Sequence, residues 1–211
     1  MSVIVIDPGH GGSSVVGNSS PNNATGPAGT EEKNVTLDIA VRIGDALNGS
    51  GHTVLLTRNS DVNLGLNDRA AVAADNNADA FLSVHLNGST DPSVQGSETW
   101  VHSVSTDDSR LLAASVQQRL VGATGYSDRG VKSKGLGVLS LAYQNPNTAC
   151  CLAEISFLTD PSDESRLQNA TYKDSLAMAL AQALLDYVNH STSVTPATPT
   201  PEGDPGGNAD G

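Results

Sequence analysis

The sequence VIVIDPGHGG, residues 3–12, predicts a buried β-strand that ends in a tight turn. Four β-branched residues in succession are typical of a strand that is covered on both faces. The run stops at Asp7-Pro8-Gly9, where proline fixes φ and glycine permits a positive φ. His10 is therefore expected in a turn at the carboxyl end of the first strand, the edge at which open α/β sheets bind ligands. Histidine is also the commonest metal ligand among the side chains.

A phosphate-binding loop is another use of a glycine-rich turn after a strand. The phosphate loop requires a Gly-Lys-Ser/Thr ending, and the dinucleotide fingerprint requires a helix that opens within the glycines. Here the glycines lead into residues 13–29, a long polar segment rich in Asn, Gly and Pro. The sequence therefore disfavours a nucleotide-binding protein and leaves a plain structural turn as the simpler alternative to a ligand site.

Composition limits the classes of partner that this chain can have. It has 211 residues, enough for one sizeable core, and a formal net charge of −12. This negative charge disfavours binding to nucleic acid or to an anionic membrane surface. No apolar run is long enough to span a membrane. Met1 leads directly into the first strand without a signal peptide, which leaves the route of export open.

Strand and helix patterns alternate along the chain, which predicts an α/β fold. Further strands are predicted at residues 53–57, 80–86, 96–101, 137–141 and 149–155, and helices after residue 30, at 67–75, after 107, after 163 and at 172–189. Residues 126–134 are predicted to form a polar, locally basic loop. The expected architecture is a single domain with a central mixed, mostly parallel sheet of about six strands, flanked by helices on both faces.

Three candidate metal ligands are spread over the first 85 residues. His10 follows the first strand, Glu32 lies in the first turn of the first helix, and His85 lies at the far end of the third strand. If the first and third strands are close together, all three side chains meet at one edge of the sheet. Two imidazoles and one carboxylate leave a fourth position open, which is the pattern of catalytic zinc. Such a site makes hydroxide available at neutral pH.

A fourth candidate, Glu154, lies in the apolar run of the sixth strand. A carboxylate is costly to bury without a partner. Beside a metal it could accept a proton from water and donate it to a departing amine. The alternative is that Glu154 pairs with a nearby Arg or Lys and has a structural role only.

Four motifs in this order resemble the zinc-dependent N-acetylmuramoyl-L-alanine amidases, the cell-wall amidases of type 3. They are DPGHGG at residues 7–12, EKNV at 32–35, SVHLN at 83–87 and AEISFLTD at 153–160. Arg69 and residues 128–132 agree as well, and the resemblance extends from Val3 to about Val188. It implies that residues 1–190 are a zinc amidase catalytic domain. Residues 191–211, rich in Thr, Pro and Gly, are then a tail that is disordered or a linker.

The resemblance implies one Zn²⁺ per chain, held by His10, Glu32 and His85, with Glu154 as the catalytic carboxylate. Residue chemistry alone leaves Glu31 open as a ligand. The family places its carboxylate ligand directly before a lysine, which favours Glu32.

Substrate contacts are predicted for Asn87, Arg129 and Lys132. Arg129, Lys132 and Lys134 form a local basic cluster in an acidic chain, and the stem peptide of peptidoglycan carries free carboxylates. The alternative is a solvated loop with no role in binding. Cys150 and Cys151 are predicted to be buried, unreactive thiols.

The implied function is hydrolysis of peptidoglycan at the amide bond between the lactyl group of N-acetylmuramic acid and L-alanine. The alternatives are another zinc-dependent peptidase or deacetylase, and a non-catalytic cell-wall-binding module. The protein would act on the cell wall, in the periplasm or outside the cell. Some relatives carry an inhibitory helix between the second histidine and the catalytic glutamate. Because residues 87–150 leave no room for one, we expect activity without an activator protein.

Overall fold

The computed structural model of the chain describes residues 1–190 and 192–201. These residues form one sheet of seven strands that is covered by five α-helices. The strands are β1 (Val3–Pro8), β2 (Thr53–Leu56), β3 (Ala80–Asn87), β4 (Ser97–His102), β5 (Asp128–Lys134), β6 (Ala149–Phe157) and β7 (Thr200–Pro201). The helices are α1 (Glu32–Leu47), α2 (Leu66–Asp75), α3 (Asp107–Thr124), α4 (Pro161–Leu167) and α5 (Ala170–Val188). In this part of the chain, none of the helices is both long and apolar enough to cross a membrane.

The strand order is β2-β1-β3-β6-β4-β5-β7. The four strands β2, β1, β3 and β6 run parallel, and β4 pairs antiparallel with β6. Strand β5 is parallel to β4, and β7 is parallel to β5. The predicted single-domain α/β fold with a mixed, mostly parallel sheet is therefore confirmed. Because β1 and β3 are neighbours, their carboxyl ends lie side by side at one edge.

Two hydrophobic cores lie on opposite faces of this sheet. The larger core packs α1, α3 and α5 against side chains such as Ile4 and Leu82. The smaller core contains Phe81, Trp100 and Leu152 on the other face, against α2. Side chains alternate between the two faces along a strand. Polar side chains near the carboxyl ends of β3 and β6 that lie on the same face as the smaller core are therefore close to one another.

The two cysteines illustrate this alternation. Cys150 packs in the smaller core and Cys151 in the larger core, and both are free thiols. Burial raises the pKa of the Cys150 thiol to about 12. Both residues are thus buried and unreactive, as the sequence indicates.

Two predictions of secondary structure are wrong: a strand lies where a loop was predicted, and a turn lies where a strand was predicted. The predicted basic loop at residues 126–134 contains β5, and the predicted strand at 137–141 contains a 3₁₀ turn, Gly137–Leu139. Strand β5 forms despite its polar sequence because its backbone pairs with β4 and its basic side chains bind a buried carboxylate. The apolar residues after it are buried in the smaller core instead of extending the sheet.

Part of the predicted tail contacts the domain. Ala197 donates its backbone N–H to the carbonyl of Arg110, and Thr200–Pro201 pairs with β5 as strand β7. An edge strand offers unpaired backbone groups, and proline is tolerated at such an edge. Residue 191 and residues 202–211 of the predicted tail lie outside the described residues.

Candidate metal centre

The turn after β1 holds His10 with its backbone in the left-handed region. Its φ is 60°, and the next two glycines have φ values of 133° and 64°. A non-glycine residue adopts this conformation at a cost of about 1 kcal/mol, so the surrounding structure must enforce it. His10 Nδ1 lies 3.1 Å from the carbonyl oxygen of Ser20. Because a carbonyl can only accept, this contact places a proton on Nδ1 and turns Nε2 toward Glu32.

Two buried arginines fix this turn through backbone carbonyls. Arg69 on α2 donates to the carbonyls of Pro8 and His10, both at 2.7 Å. Arg58 donates to the carbonyls of Pro8 at 3.0 Å and Gly9 at 2.8 Å. The turn that presents His10 is therefore built by distant residues as well as by its own glycines.

Glu32 begins α1 and turns its carboxylate into the protein. It is 1% exposed. Its Oε1 accepts the backbone N–H of Leu86 at 3.0 Å, and its Oε2 accepts the N–H of Ala24 at 2.8 Å. Glu31, the residue before the helix, has a side chain that is 45% exposed and lies 3.7 Å from Lys33 Nζ. The geometry thus brings Glu32, and not Glu31, to the two histidines.

The three predicted ligands meet at the carboxyl ends of β1 and β3. Glu32 Oε1 lies 3.1 Å from His85 Nδ1 and 3.3 Å from His10 Nε2. One ligand atom from each of the three residues falls within 4.8 Å of the others, and all three residues are buried. His10 Nε2 makes no hydrogen bond although it is buried. A buried ring nitrogen without a hydrogen bond, facing a carboxylate and a second imidazole, fits a divalent cation once its proton has left.

The charges in this cluster are strongly coupled. Burial would raise the pKa of Glu32, but the charge of His10 and the hydrogen bonds of His10 and His85 together outweigh burial and hold the pKa well below its usual range. Burial would lower the pKa of His10, but the Glu32 carboxylate raises it above its ordinary value. Burial lowers the pKa of His85. A bound cation would replace the proton that Glu32 attracts to His10, because metal ligands must be deprotonated.

Glu154 lies beside this cluster on the next strand. In the parallel pairing of β3 with β6, Glu154 is the register partner of His85. In the antiparallel pairing of β6 with β4, it is also the register partner of Glu98. Its side chain is buried. Register partners share a face of the sheet, so a row of three polar residues crosses β3, β6 and β4.

The three residues predicted to bind substrate converge on a residue that the sequence analysis did not single out. Asn87 Nδ2, Arg129 Nε and Lys132 Nζ all donate to the carboxylate of Glu98. Lys132 is 7% exposed, so it is not part of a solvated loop. The signal for Glu98 in the sequence is its position as the only carboxylate in the run Ser97–His102.

Comparisons with known proteins agree with this geometry. Residues 4–186 match the family model described as N-acetylmuramoyl-L-alanine amidase. N-acetylmuramoyl-L-alanine amidase LytC of Bacillus subtilis (strain 168) is 37% identical over 187 residues, which cover 87% of this chain and 35% of LytC. The crystal structure of N-acetylmuramoyl-L-alanine amidase from Clostridium difficile 630 superimposes with a TM-score of 0.80 at 31% identity. That match covers 90% of this chain and 98% of the crystallised one.

A third comparison shows the fold alone. The structure of the CwlD amidase from Clostridioides difficile, in complex with the GerS lipoprotein, has a TM-score of 0.78 at 24% identity. It covers 90% of this chain and 100% of that chain. The present chain therefore spans about a third of the length of LytC and the full length of some solved relatives.

Proposed function

The chain belongs to the N-acetylmuramoyl-L-alanine amidase family, and we propose that it hydrolyses peptidoglycan at the amide bond between the lactyl group of N-acetylmuramic acid and L-alanine. The observation that carries this proposal is the buried cluster of His10, Glu32 and His85, with Glu154 in register beside it. An amide is a poor electrophile, and a metal centre with an adjacent carboxylate is suited to its hydrolysis.

The metal proposed for this cluster is Zn²⁺, one per chain, bound by His10, Glu32 and His85. Two neutral imidazoles and a carboxylate with an open fourth position match the donor set of catalytic zinc sites. When bound, zinc supplies Lewis acidity toward a carbonyl oxygen and toward water. The hydrogen bond of His10 to Ser20 and the two backbone bonds to Glu32 support this role, because such contacts orient ligands before the metal arrives.

Glu154 is proposed as the catalytic acid and base. Its carboxylate accepts the proton that water loses as the oxygen attacks the lactyl carbonyl carbon. It then returns this proton to the amide nitrogen of L-alanine, so that the C–N bond breaks and the stem peptide leaves as a free amine. Its position beside His85 supports this role, since a general base must lie within reach of the water that attacks.

We also propose that the enzyme acts on the cell wall outside the cytoplasm and needs no activator protein. Between Asn87 and Ala149, α3 is packed against the sheet and against α5, and no other α-helix lies in this part of the chain. A helix that could cover the metal centre is thus not found there. The CwlD amidase is bound to a lipoprotein in its structure, so activity of the purified chain without partners tests this point directly.

Product analysis on purified sacculi tests the proposed activity. The purified chain, loaded with zinc, should release intact stem peptides with a new L-alanine amino terminus and leave the glycan strands uncut. The variant Glu154→Gln, prepared in parallel, should release these peptides at least about 100-fold more slowly. Cleavage inside the stem peptide, release of acetate, or binding to sacculi without any product would contradict the amidase assignment and identify a peptidase, a deacetylase or a wall-binding module instead.

A further inference from the structure

Glu98 is a fully buried carboxylate that binds four side chains. Its relative exposure is 0%. Oε1 accepts from Asn87 Nδ2 at 2.8 Å and from Trp100 Nε1 at 3.1 Å. Oε2 accepts from Arg129 Nε at 2.7 Å and from Lys132 Nζ at 2.8 Å. Charge-assisted bonds of this kind are short and directional, so the four donors are held in one arrangement.

The position of Glu98 connects this arrangement to the metal centre. Glu98 on β4 is the register partner of Glu154 on β6, which is in turn the register partner of His85 on β3. Asn87 lies two residues after the ligand His85. The four donors therefore lie next to the proposed catalytic carboxylate, on the same face of the sheet.

Aromatic rings restrict the two cations further. The Arg129 guanidinium lies 4.9 Å from the centroid of the Phe157 ring, and Lys132 Nζ lies 5.5 Å from that of Trp100. The side chain of Arg129 is 17% exposed and that of Lys132 is 8% exposed. Each cation is thus held between a carboxylate and a ring and keeps only a small part of its surface toward solvent.

We propose that Glu98 is the positioning residue for substrate binding in this enzyme: it holds the cations of Arg129 and Lys132 where they receive a carboxylate of the stem peptide, while the buried Asn87 amide helps to fix Glu98 itself. This inference rests on the proposed amidase function, because it takes the stem peptide as the ligand. Glu98 contacts no reacting atom. Its effect is on the two cations, whose long side chains would otherwise sample many rotamers and bind an anion weakly.

The competing explanation is a counter-ion with a structural role only. A buried cation that loses its carboxylate destabilises a fold even where it binds no ligand. The two explanations differ in what changes while the protein is folded. A positioning role predicts a change in ligand affinity with unchanged zinc affinity, whereas a structural role predicts a lower unfolding midpoint and unchanged ligand affinity.

Trp100 provides a local optical probe, because it is the only tryptophan of the chain and donates directly to Glu98. We would titrate zinc-loaded Glu154→Gln, which turns over too slowly to consume the ligand during the titration, with N-acetylmuramoyl-L-alanyl-D-isoglutamine and follow the Trp100 emission. The same titration with Glu98→Gln/Glu154→Gln should give a Kd at least tenfold higher, at a temperature where both proteins are folded by near-ultraviolet circular dichroism. In kinetics on sacculi fragments, Glu98→Gln alone should raise KM by a similar factor and change kcat less than threefold.

A matched control is available at Glu164, another buried glutamate, which accepts the backbone N–H groups of Ala28 and Thr30. Glu164→Gln/Glu154→Gln should keep the parent Kd within twofold. The inference would be overturned if Glu154→Gln and Glu98→Gln/Glu154→Gln had equal Kd values, or if Glu164→Gln/Glu154→Gln lost as much affinity as the Glu98 variant. It would also be overturned if Glu154→Gln did not bind the ligand at millimolar concentration. If the parent binds and the wild-type enzyme releases no stem peptide, the amidase proposal fails by itself, while the Kd ratio still decides the role of Glu98.

Discussion

At the scale of single residues, Gly9 is the position at which one extra carbon would disturb the metal centre. A Cβ at Gly9 would lie 2.3 Å from Cε1 and 2.5 Å from Nε2 of the His85 ring. The ring is buried and bonded to Glu32, so it has to leave its position to make room. We expect Gly9→Ala to weaken zinc binding at least tenfold, measured by competition with a chelator of known affinity.

A control for this substitution lies on α3. A Cβ at Gly122 would meet no atom within 4 Å. Gly122→Ala should leave zinc affinity unchanged and raise the free energy of unfolding by up to about 1 kcal/mol, since alanine is the better helix former. Unchanged zinc affinity in Gly9→Ala would show that His85 is not a ligand.

A substitution at Glu154 distinguishes a role in catalysis from a role in metal binding. If it moves the proton and does not hold the metal, Glu154→Gln should lower kcat by about 10²- to 10⁴-fold, the usual contribution of a general acid and base. Its zinc content, measured by atomic emission after gel filtration, should equal that of the wild type. Loss of zinc together with activity would instead make Glu154 a metal ligand.

At the scale of elements, Asp7 joins β1 to β3 and to α2. Its Oδ1 accepts from Arg69 Nη1 at 2.9 Å, and its Oδ2 accepts from Ser83 Oγ at 2.7 Å. Because Asp7→Asn leaves the Arg69 guanidinium buried without its counter-ion, it should lower the free energy of unfolding by about 3–5 kcal/mol, measured by urea denaturation. A loss below about 1 kcal/mol would mean that the backbone carbonyls around Arg69 satisfy it without Asp7.

The same pair gives the fold a dependence on pH. Burial would raise the pKa of Asp7, but the charge of Arg69 together with the hydrogen bonds from Thr57 and Ser83 outweighs burial and holds the pKa below the ordinary value of 3.8. A carboxyl whose pKa is lowered by folding stabilises the protein above its unfolded pKa and loses this contribution as pH falls through the folded pKa. When the pH is lowered below about 4, the unfolding midpoints of the wild type in urea should therefore decrease. Those of Asp7→Asn should fall less steeply, and parallel curves would contradict this assignment.

The elements that the sequence predicts correctly are those with strong local patterns. The apolar runs of β1, β3 and β6 and the four-residue repeat of α1 are buried as expected. Strand β5 could not be predicted because its stability comes from pairing with β4 and from Glu98.

The residues of the candidate site also fall into those that local patterns predict and those that depend on strand pairing. His10 and His85 stand at ends of parallel strands, where sequence pattern and sheet geometry together predict that they meet. The place of Glu98 depends on β4 inserting antiparallel beside β6, and no local pattern specifies this neighbour. The residues of the proposed metal centre were thus predictable, and the network that holds the proposed substrate contacts was not.

At the scale of the whole molecule, a bound metal would join three elements that are far apart in sequence. His10 follows β1, Glu32 begins α1 and His85 belongs to β3. A ligand that binds only the folded state at 1,000 times its Kd stabilises it by about 4 kcal/mol, which corresponds to roughly 10 °C in Tm for a chain of this size. A chelator should lower the Tm of the wild type by this amount and leave the Tm of His10→Ala unchanged. Equal Tm values for the wild type with and without chelator would contradict a site at this place.

The most direct test of the metal centre is anomalous diffraction at the zinc edge from crystals of the purified chain. We predict one zinc peak per chain between His10 Nε2, the Glu32 carboxylate and His85, with Zn–N distances of about 2.0–2.1 Å and a Zn–O distance of about 2.0–2.2 Å. No peak at this position in zinc-loaded crystals, or a zinc ion held by other residues, would contradict the proposed centre and with it the proposed chemistry.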